Sequence, residues 1–284
     1  MIQNISDTAV WVAAYRAQEN DRPDAVVKDP FARRLAGDRG EQILRELPVA
    51  SHGTWALVVR TKVLDDVITE LVTRGEADTV INMACGLDTR PWRMDLPAAL
   101  RWVDVDLPGI LDYKLGKLSG ETPRCRYEAV KQDLADLPGR RALFARLGSE
   151  TSKALCITEG LLVYLTADQV GGLATDLHAQ PGFKHWLLEL VNPVVLKTMQ
   201  AMWRRQLDAA NASMHFGPAE SGAFFSAFGW REKDFRSFVD ASVTLKREMP
   251  FPLSWMVRAG LTFTGPRARR RIRRYSGAVL LERA

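Results

Sequence analysis

Along the first half of the chain, apolar positions recur at helical spacing. From Ser6 or Asp7 onward, Val10, Ala13, Ala14 and Ala17 share one face, as an amphipathic helix requires. A polar break over 19–24 leads to a short helix after Pro30. A longer helix is predicted over 54–73, with Ala56, Leu57, Val63, Leu64, Val67, Ile68 and Leu71 on one side and Lys62, Asp65, Asp66, Thr69, Glu70 and Thr73 on the other. Beyond it the rhythm shortens to apolar runs of strand length at 79–86, 100–106, 125–130, 154–159 and 185–191. Helical stretches at 108–118, 140–147 and 166–178 separate them. This alternation predicts an α/β fold with a mostly parallel sheet covered on both faces, whose ligands bind at the carboxyl ends of the strands. After Asn192-Pro193 the pattern turns mainly helical, over 194–212 and 219–227, and 276–284 supplies a final strand. One domain of 1–284 is therefore expected: N-terminal helices 1–75, a core 76–192, an inserted helical cap 193–275 and the closing strand.

Composition narrows the class without naming it. With 46% hydrophobic and 26% charged residues, the 284-residue chain is neither disordered nor fibrous. A net charge of +5 does not by itself imply a nucleic-acid partner. Cys85, Cys125 and Cys156 are too few and too scattered for a disulfide framework, and no spacing suggests a metal cage. No apolar run approaches the length of a membrane span, and the first residues lack a secretory pattern. The expected compartment is the cytoplasm.

Three constellations carry candidate chemistry. The first strand runs into Ala84-Cys85-Gly86-Leu87-Asp88-Thr89, and Asp106 ends the second strand 20 residues after Gly86. The glycines of a dinucleotide fingerprint are missing, whereas a carboxylate at Asp106 can accept both hydroxyls of a ribose. A nucleoside cofactor without a pyrophosphate fits, as does a plain turn followed by a solvated aspartate. Second, Arg60 sits three and four residues before Val63 and Leu64, on the apolar side of its helix. A buried guanidinium needs an anion, either an internal carboxylate or that of a bound amino-acid moiety. Third, Gln132-Asp133-Leu134 and Thr158-Glu159-Gly160-Leu161-Leu162-Val163-Tyr164-Leu165 follow strands three and four. Asp133 could meet an adenine amino group or cap a helix. Glu159 could meet a cofactor ammonium or sit beside the reacting centre, and Tyr164 could be a half-buried core ring.

In their order and spacing, these segments resemble the leucine carboxyl methyltransferase family and its bacterial polyketide O-methyltransferase-like branch. The matching pieces are Arg60-Thr61-Lys62, Ala84 through Arg90, Val105-Asp106-Leu107-Pro108, Gln132-Asp133-Leu134 and Thr158 through Leu165. The resemblance implies a Rossmann-like methyltransferase using S-adenosyl-L-methionine. It would place Arg60 on the cofactor carboxylate, Gly86 under the methionine part, Asp106 on the ribose, Asp133 and Leu134 beside the adenine, and Glu159 completing the pocket. Tyr164 would help to position the acceptor. Ala84 stands where the family usually has glycine, so a narrowed turn, with weaker affinity or a changed backbone path, is expected there.

The expected reaction is O-methylation of a small-molecule carboxyl or hydroxyl group. A carboxylate acceptor is already ionised and needs no base, whereas a hydroxyl would use one, with His215 the candidate histidine. Bulky groups after Asn192, among them Met199, Met202, Met214, Phe216, Phe224 and Phe225, are expected to form an acceptor pocket. Two other readings remain. Arg267, Arg269, Arg270, Arg271, Arg273 and Arg274 place six arginines in eight residues, which would serve a nucleic-acid methyltransferase. Nucleic acid is nevertheless not the expected partner, because no RNA-binding module or base-methylation motif accompanies them. Ala84 could instead mark a cofactor-binding protein without turnover.

Overall fold

The computed structural model describes residues 5–46, 54–209 and 213–284. Three helices lead: α1 (Ile5–Asn20), α2 (Ala32–Glu46) and α3 (Thr54–Thr73). The core then alternates β1 (Thr79–Met83), α4 (Arg90–Arg93), β2 (Arg101–Asp106), α5 (Pro108–Lys117), β3 (Arg126–Lys131), α6 (Leu137–Ser149), β4 (Ala154–Thr158), α7 (Ala167–His178) and β5 (Phe183–Val191). It continues through α8 (Pro193–Ala209), β6 (Trp230–Ser237), α9 (Phe238–Thr244), α10 (Leu253–Phe263), α11 (Pro266–Arg273) and β7 (Ser276–Arg283). The mixed α/β class agrees with the sequence pattern, and the Rossmann-like sheet with what the resemblance implies.

The strands form one seven-stranded sheet in the order β3-β2-β1-β4-β5-β7-β6. The first five run parallel, while β7 is antiparallel to both β5 and β6. From β1 the chain first builds outward through β2 and β3, then returns to lay β4 on the other side. The carboxyl ends of β1 and β4 therefore flank the topological switch point, where helices on opposite faces diverge and leave a crevice. Every residue of β1 and β4 is buried, as strands covered on both faces must be.

One face packs on α6, α7 and the aromatic cluster of Trp186, Phe225 and Trp230; the other packs on α3 and α9. A third cluster joins α1 to α2 through Val10, Ala13, Ala14, Leu35 and Ile43, so the stripe expected on the first helix is buried.

Two expectations for 193–275 need correction. The segment is not a purely helical cap, since β6 lies within it and extends the sheet. Its side chains alternate poorly and are heavily charged, which hides the strand from a periodicity reading: Trp230 is the one fully buried position of the eight. The helix expected at 219–227 is a 3₁₀ segment, Ser221–Phe228, closed by Gly229 in the left-handed region. For the helix expected over 194–212, α8 ends at Ala209, and residues 210–212 lie outside the described residues.

Candidate active site

The turn after β1 holds two residues in the left-handed region, Ala84 (φ 51°) and Gly86 (φ 52°). Glycine takes this conformation freely, whereas alanine there costs roughly 1–2 kcal/mol. The backbone thus bears the strain of Ala84 and does not avoid it. Ala84, Gly86 and Asp88 are half-buried while Cys85, Leu87 and Thr89 are buried, so alternate residues of the turn face the crevice. The turn is clamped from α1: Arg16 bonds Asp29 at 2.8 Å and the Leu87 carbonyl at 2.6 Å, while Thr89 donates to the same Asp29 at 2.7 Å.

Asp106 reaches back to this turn from the end of β2. Its Oδ2 accepts the Gly86 amide and its Oδ1 accepts the Leu107 amide, both at 2.7 Å. Burial raises the Asp106 pKa, and these two amides offset that only in part. Each carboxylate oxygen keeps a lone pair for a further donor.

Across the crevice lies a continuous ion-pair network. Arg60 on α3 has Nη1 at 3.1 Å from both oxygens of Glu189 on β5, and its Nε lies 2.8 Å from Glu159 Oε1. The buried Nε–H is not directed at that oxygen and lacks a hydrogen-bond partner among the described residues. Glu159 also meets Arg90 at 2.8 Å, and Arg90 in turn contacts Asp65 and Asp88, each at 2.7 Å. Arg93 closes the network on Asp65 at 2.7 Å. Burial alone would raise Glu159, but Arg90 and Arg60 outweigh it and hold its pKa below the ordinary value. Burial raises Glu189, and Arg60 does not fully counter it because Glu159 adds a like charge. For Arg60, burial opposes the charge, but Glu189 and Glu159 prevail and raise its pKa. Three guanidiniums thus face four carboxylates.

Beneath the turn is a second charged pair that the sequence analysis does not single out. Lys114 and Asp104 meet at 2.7 Å with both side chains fully buried. Asp104 further accepts Trp102 Nε1 and the Tyr127 hydroxyl, each at 2.9 Å. Burial disfavours the Lys114 charge, but Asp104 more than compensates and raises its pKa.

The structure brings Arg60, Ala84, Gly86, Asp106 and Glu159 to the carboxyl edge of β1, β2 and β4. Asp133 follows β3 on the same edge, exposed, its Oδ1 accepting the Ala135 amide at 2.8 Å, and Leu134 is half-buried beside it. Tyr164 ends a short 3₁₀ turn, Leu162–Tyr164, close enough to Arg60 and Glu189 to feel both charges. Burial raises its pKa, and its hydroxyl has no hydrogen-bond partner among the described residues.

Not all of the bulky residues after Asn192 can line a pocket. Phe225 packs edge-on against Trp186 with ring centroids 5.1 Å apart, and it and Phe216 are buried in the sheet core. Sequence reasoning also misses Glu189, Arg90, Asp88 and Asp65. A lone acid inside the apolar run of β5 was the available signal for Glu189, because such a charge demands a partner.

These residues fit S-adenosylmethionine on three observations. Arg60 retains a buried, unpartnered Nε–H, and its Nη2 has no protein acceptor among the described residues. The network carries one more carboxylate than guanidinium, which suits a ligand with ammonium and sulfonium charges. Gly160, at φ 69°, lets its amide reach Glu189 at 2.8 Å, and a Cβ there would come within 3.6 Å of Arg60 Nη1. Among the described residues, no group of three or more His, Cys, Asp or Glu is arranged to hold a metal ion. None of the described helices is long and apolar enough to cross a membrane.

Residues 9–178 match the leucine carboxyl methyltransferase family. A Parafrankia protein named "putative S-adenosyl-L-methionine-dependent methyltransferase" is 30% identical, over 93% of this chain and 87% of its own length. A Mycobacterium bovis protein with the same description is 27% identical, over 85% of this chain and 95% of its own. Among solved structures, a DUF574-family protein of Streptomyces avermitilis superposes with a TM-score of 0.57 at 13% identity, covering 96% of this chain and 97% of its own, a likeness of fold. The chain belongs to the leucine carboxyl methyltransferase family and is an S-adenosylmethionine-dependent methyltransferase.

Proposed function

We propose that the protein transfers a methyl group from S-adenosyl-L-methionine to a carboxyl or hydroxyl oxygen of a small molecule. The observation that carries the cofactor half of this reading is the ion-pair network, with its carboxylate excess and the free donors on Arg60. In this reading Arg60 holds the cofactor carboxylate and Glu159 and Glu189 face its cationic part. Ala84 and Gly86 line its methionine portion. Asp106 takes the ribose hydroxyls, and Asp133 and Leu134 flank the adenine.

When bound, S-adenosylmethionine supplies an electrophilic methyl group for in-line displacement. The chain's own task is then orientation more than activation, the kind of catalysis proximity can supply. Tyr164, whose hydroxyl has no hydrogen-bond partner among the described residues, would orient an acceptor oxygen. The Val163 carbonyl beside it accepts the His215 amide at 2.7 Å, bringing an exposed imidazole near the same edge. A carboxylate acceptor would not need that imidazole, whereas a hydroxyl acceptor would use it as a base.

An acceptor screen with methyl-labelled S-adenosylmethionine tests the reading. Label is expected on oxygen, in a base-labile ester for a carboxyl acceptor or a stable ether for a hydroxyl. His215→Ala should leave ester formation intact and impair ether formation. Label found on nitrogen, carbon or nucleic acid would refute the proposal.

A further inference from the structure

The C-terminal arginines are sorted by the fold into two sets. Arg269 is spent on the carbonyls of Thr262 and Thr264, and Arg273 on Asp240 at 3.2 Å. Arg267, Arg270 and Arg271, at helical spacings i, i+3 and i+4, instead share one face of α11 and, with Arg274 at its C-cap, line a cleft of ≈ 460 Å³. Arg274 is neutralised by Glu232 at 2.6 Å. The side chains of Arg267, Arg270 and Arg271 are exposed and have no hydrogen bond or ion pair among the described residues. Like charges at i, i+3 and i, i+4 repel and destabilise the helix that carries them. An anion on this face would offset the repulsion.

The cleft is also lined by the chain just past Glu189, from Leu190 through Val194, and by Glu220. At about 3.3 Å per residue along a strand, Val191 lies two steps from the carboxylate facing Arg60. The cleft thus opens at the carboxyl edge of β5, beside the candidate active site. Its volume suits a small ligand, and Leu190, Val191, Pro193 and Val194 in its lining suit a carbon skeleton. Arginine forks bind phosphate and carboxylate groups in two places at once.

We propose that this cleft seats an oxyanion, a phosphate or carboxylate group carried by the methyl acceptor, on Arg267, Arg270 and Arg271. The acceptor assignment rests on the methyltransferase reading; the anion site itself does not. Glu220 among the lining residues would repel an extended phosphate backbone more than a compact anion seated on the arginines.

The test is calorimetry at low ionic strength with inorganic pyrophosphate and with citrate, on the wild type and on the combined Arg267→Gln, Arg270→Gln, Arg271→Gln variant. The wild type should bind one of the two with one-to-one stoichiometry, pyrophosphate marking a phosphate site and citrate a carboxylate site. The variant should bind it at least about tenfold more weakly. S-adenosylmethionine affinity should be the same in both proteins, which also shows that the variant is folded. Anion and cofactor should bind together, as acceptor and donor must. The proposal is overturned if neither anion binds the wild type, if the variant binds equally well, or if anion and cofactor exclude each other. It is also overturned if a single-stranded oligonucleotide binds more tightly than either anion with steep salt dependence, the mark of a nucleic-acid surface. Anion binding that persists where S-adenosylmethionine fails to bind would refute the cofactor-site assignment while supporting the anion site.

Discussion

Arg60 and Glu189, 129 positions apart in sequence, meet through Nη1 and both carboxylate oxygens at 3.1 Å. The contact ties α3 to β5 across the crevice and sets the charge of the site. Glu189 is the acid that the arginines leave least compensated, since burial and Glu159 both push its pKa up.

That imbalance predicts a pH dependence of cofactor binding. A cationic ligand favours ionised Glu189, so affinity should fall as the pH drops through its raised pKa. Glu159, Asp88 and Asp65 are held below the ordinary range and stay ionised in that window. Glu189→Gln should bind S-adenosylmethionine more weakly and lessen the dependence, leaving the part carried by Asp106, whose pKa burial also raises. Titrations at several mildly acidic pH values check this; an unchanged pH profile in the variant would count against it.

Asp106 combines a pinned carboxylate with free lone pairs at the end of β2. Asp106→Ala is expected to weaken S-adenosylmethionine binding by about 1.5–3 kcal/mol, the worth of a hydrogen bond to a charged group. Equal affinities in wild type and variant would remove Asp106 from the site.

Only part of this site is legible in the sequence. Arg60 stands out as a cation on an apolar helix face, and Gly86 and Asp106 as a turn and an acid at strand ends. Local spacing suffices for each. The partners of Arg60 do not stand out, because pairing β4 with β5 and packing α3 over both are long-range events. The fold shows the same division. Periodicity yields the parallel strands, whose faces are buried on both sides, but not β6, whose alternation is erased by the charged residues Arg231, Glu232, Lys233, Asp234 and Arg236.

The buried Lys114–Asp104 pair predicts a stability effect separate from binding. Lys114→Met leaves Asp104 charged and unpaired in the interior, at a cost of about 3–5 kcal/mol. Denaturant unfolding should show that loss as a lower midpoint. A loss below about 1 kcal/mol would mean that the interior tolerates an unpaired Asp104.

Ala84 predicts the opposite sign. Replacing it with glycine removes roughly 1–2 kcal/mol of left-handed strain, while the freer unfolded chain takes back about 0.4–1 kcal/mol. Ala84→Gly should therefore stabilise the protein modestly in the same unfolding experiment. A clear destabilisation would show that the alanine methyl contributes packing that outweighs the strain.

In the proposed site Arg60 holds the carboxylate of S-adenosylmethionine while its Nη1 stays on Glu189. Calorimetry on wild type and Arg60→Lys, with S-adenosylmethionine, its demethylated product and an analogue lacking the carboxylate, tests it most directly. Lysine keeps the charge but loses the planar fork. The first two ligands should therefore weaken together by about 1.5–3 kcal/mol, while the analogue binds both proteins nearly equally. An equal loss for the analogue would contradict the claim and leave Arg60 as a support of the fold alone.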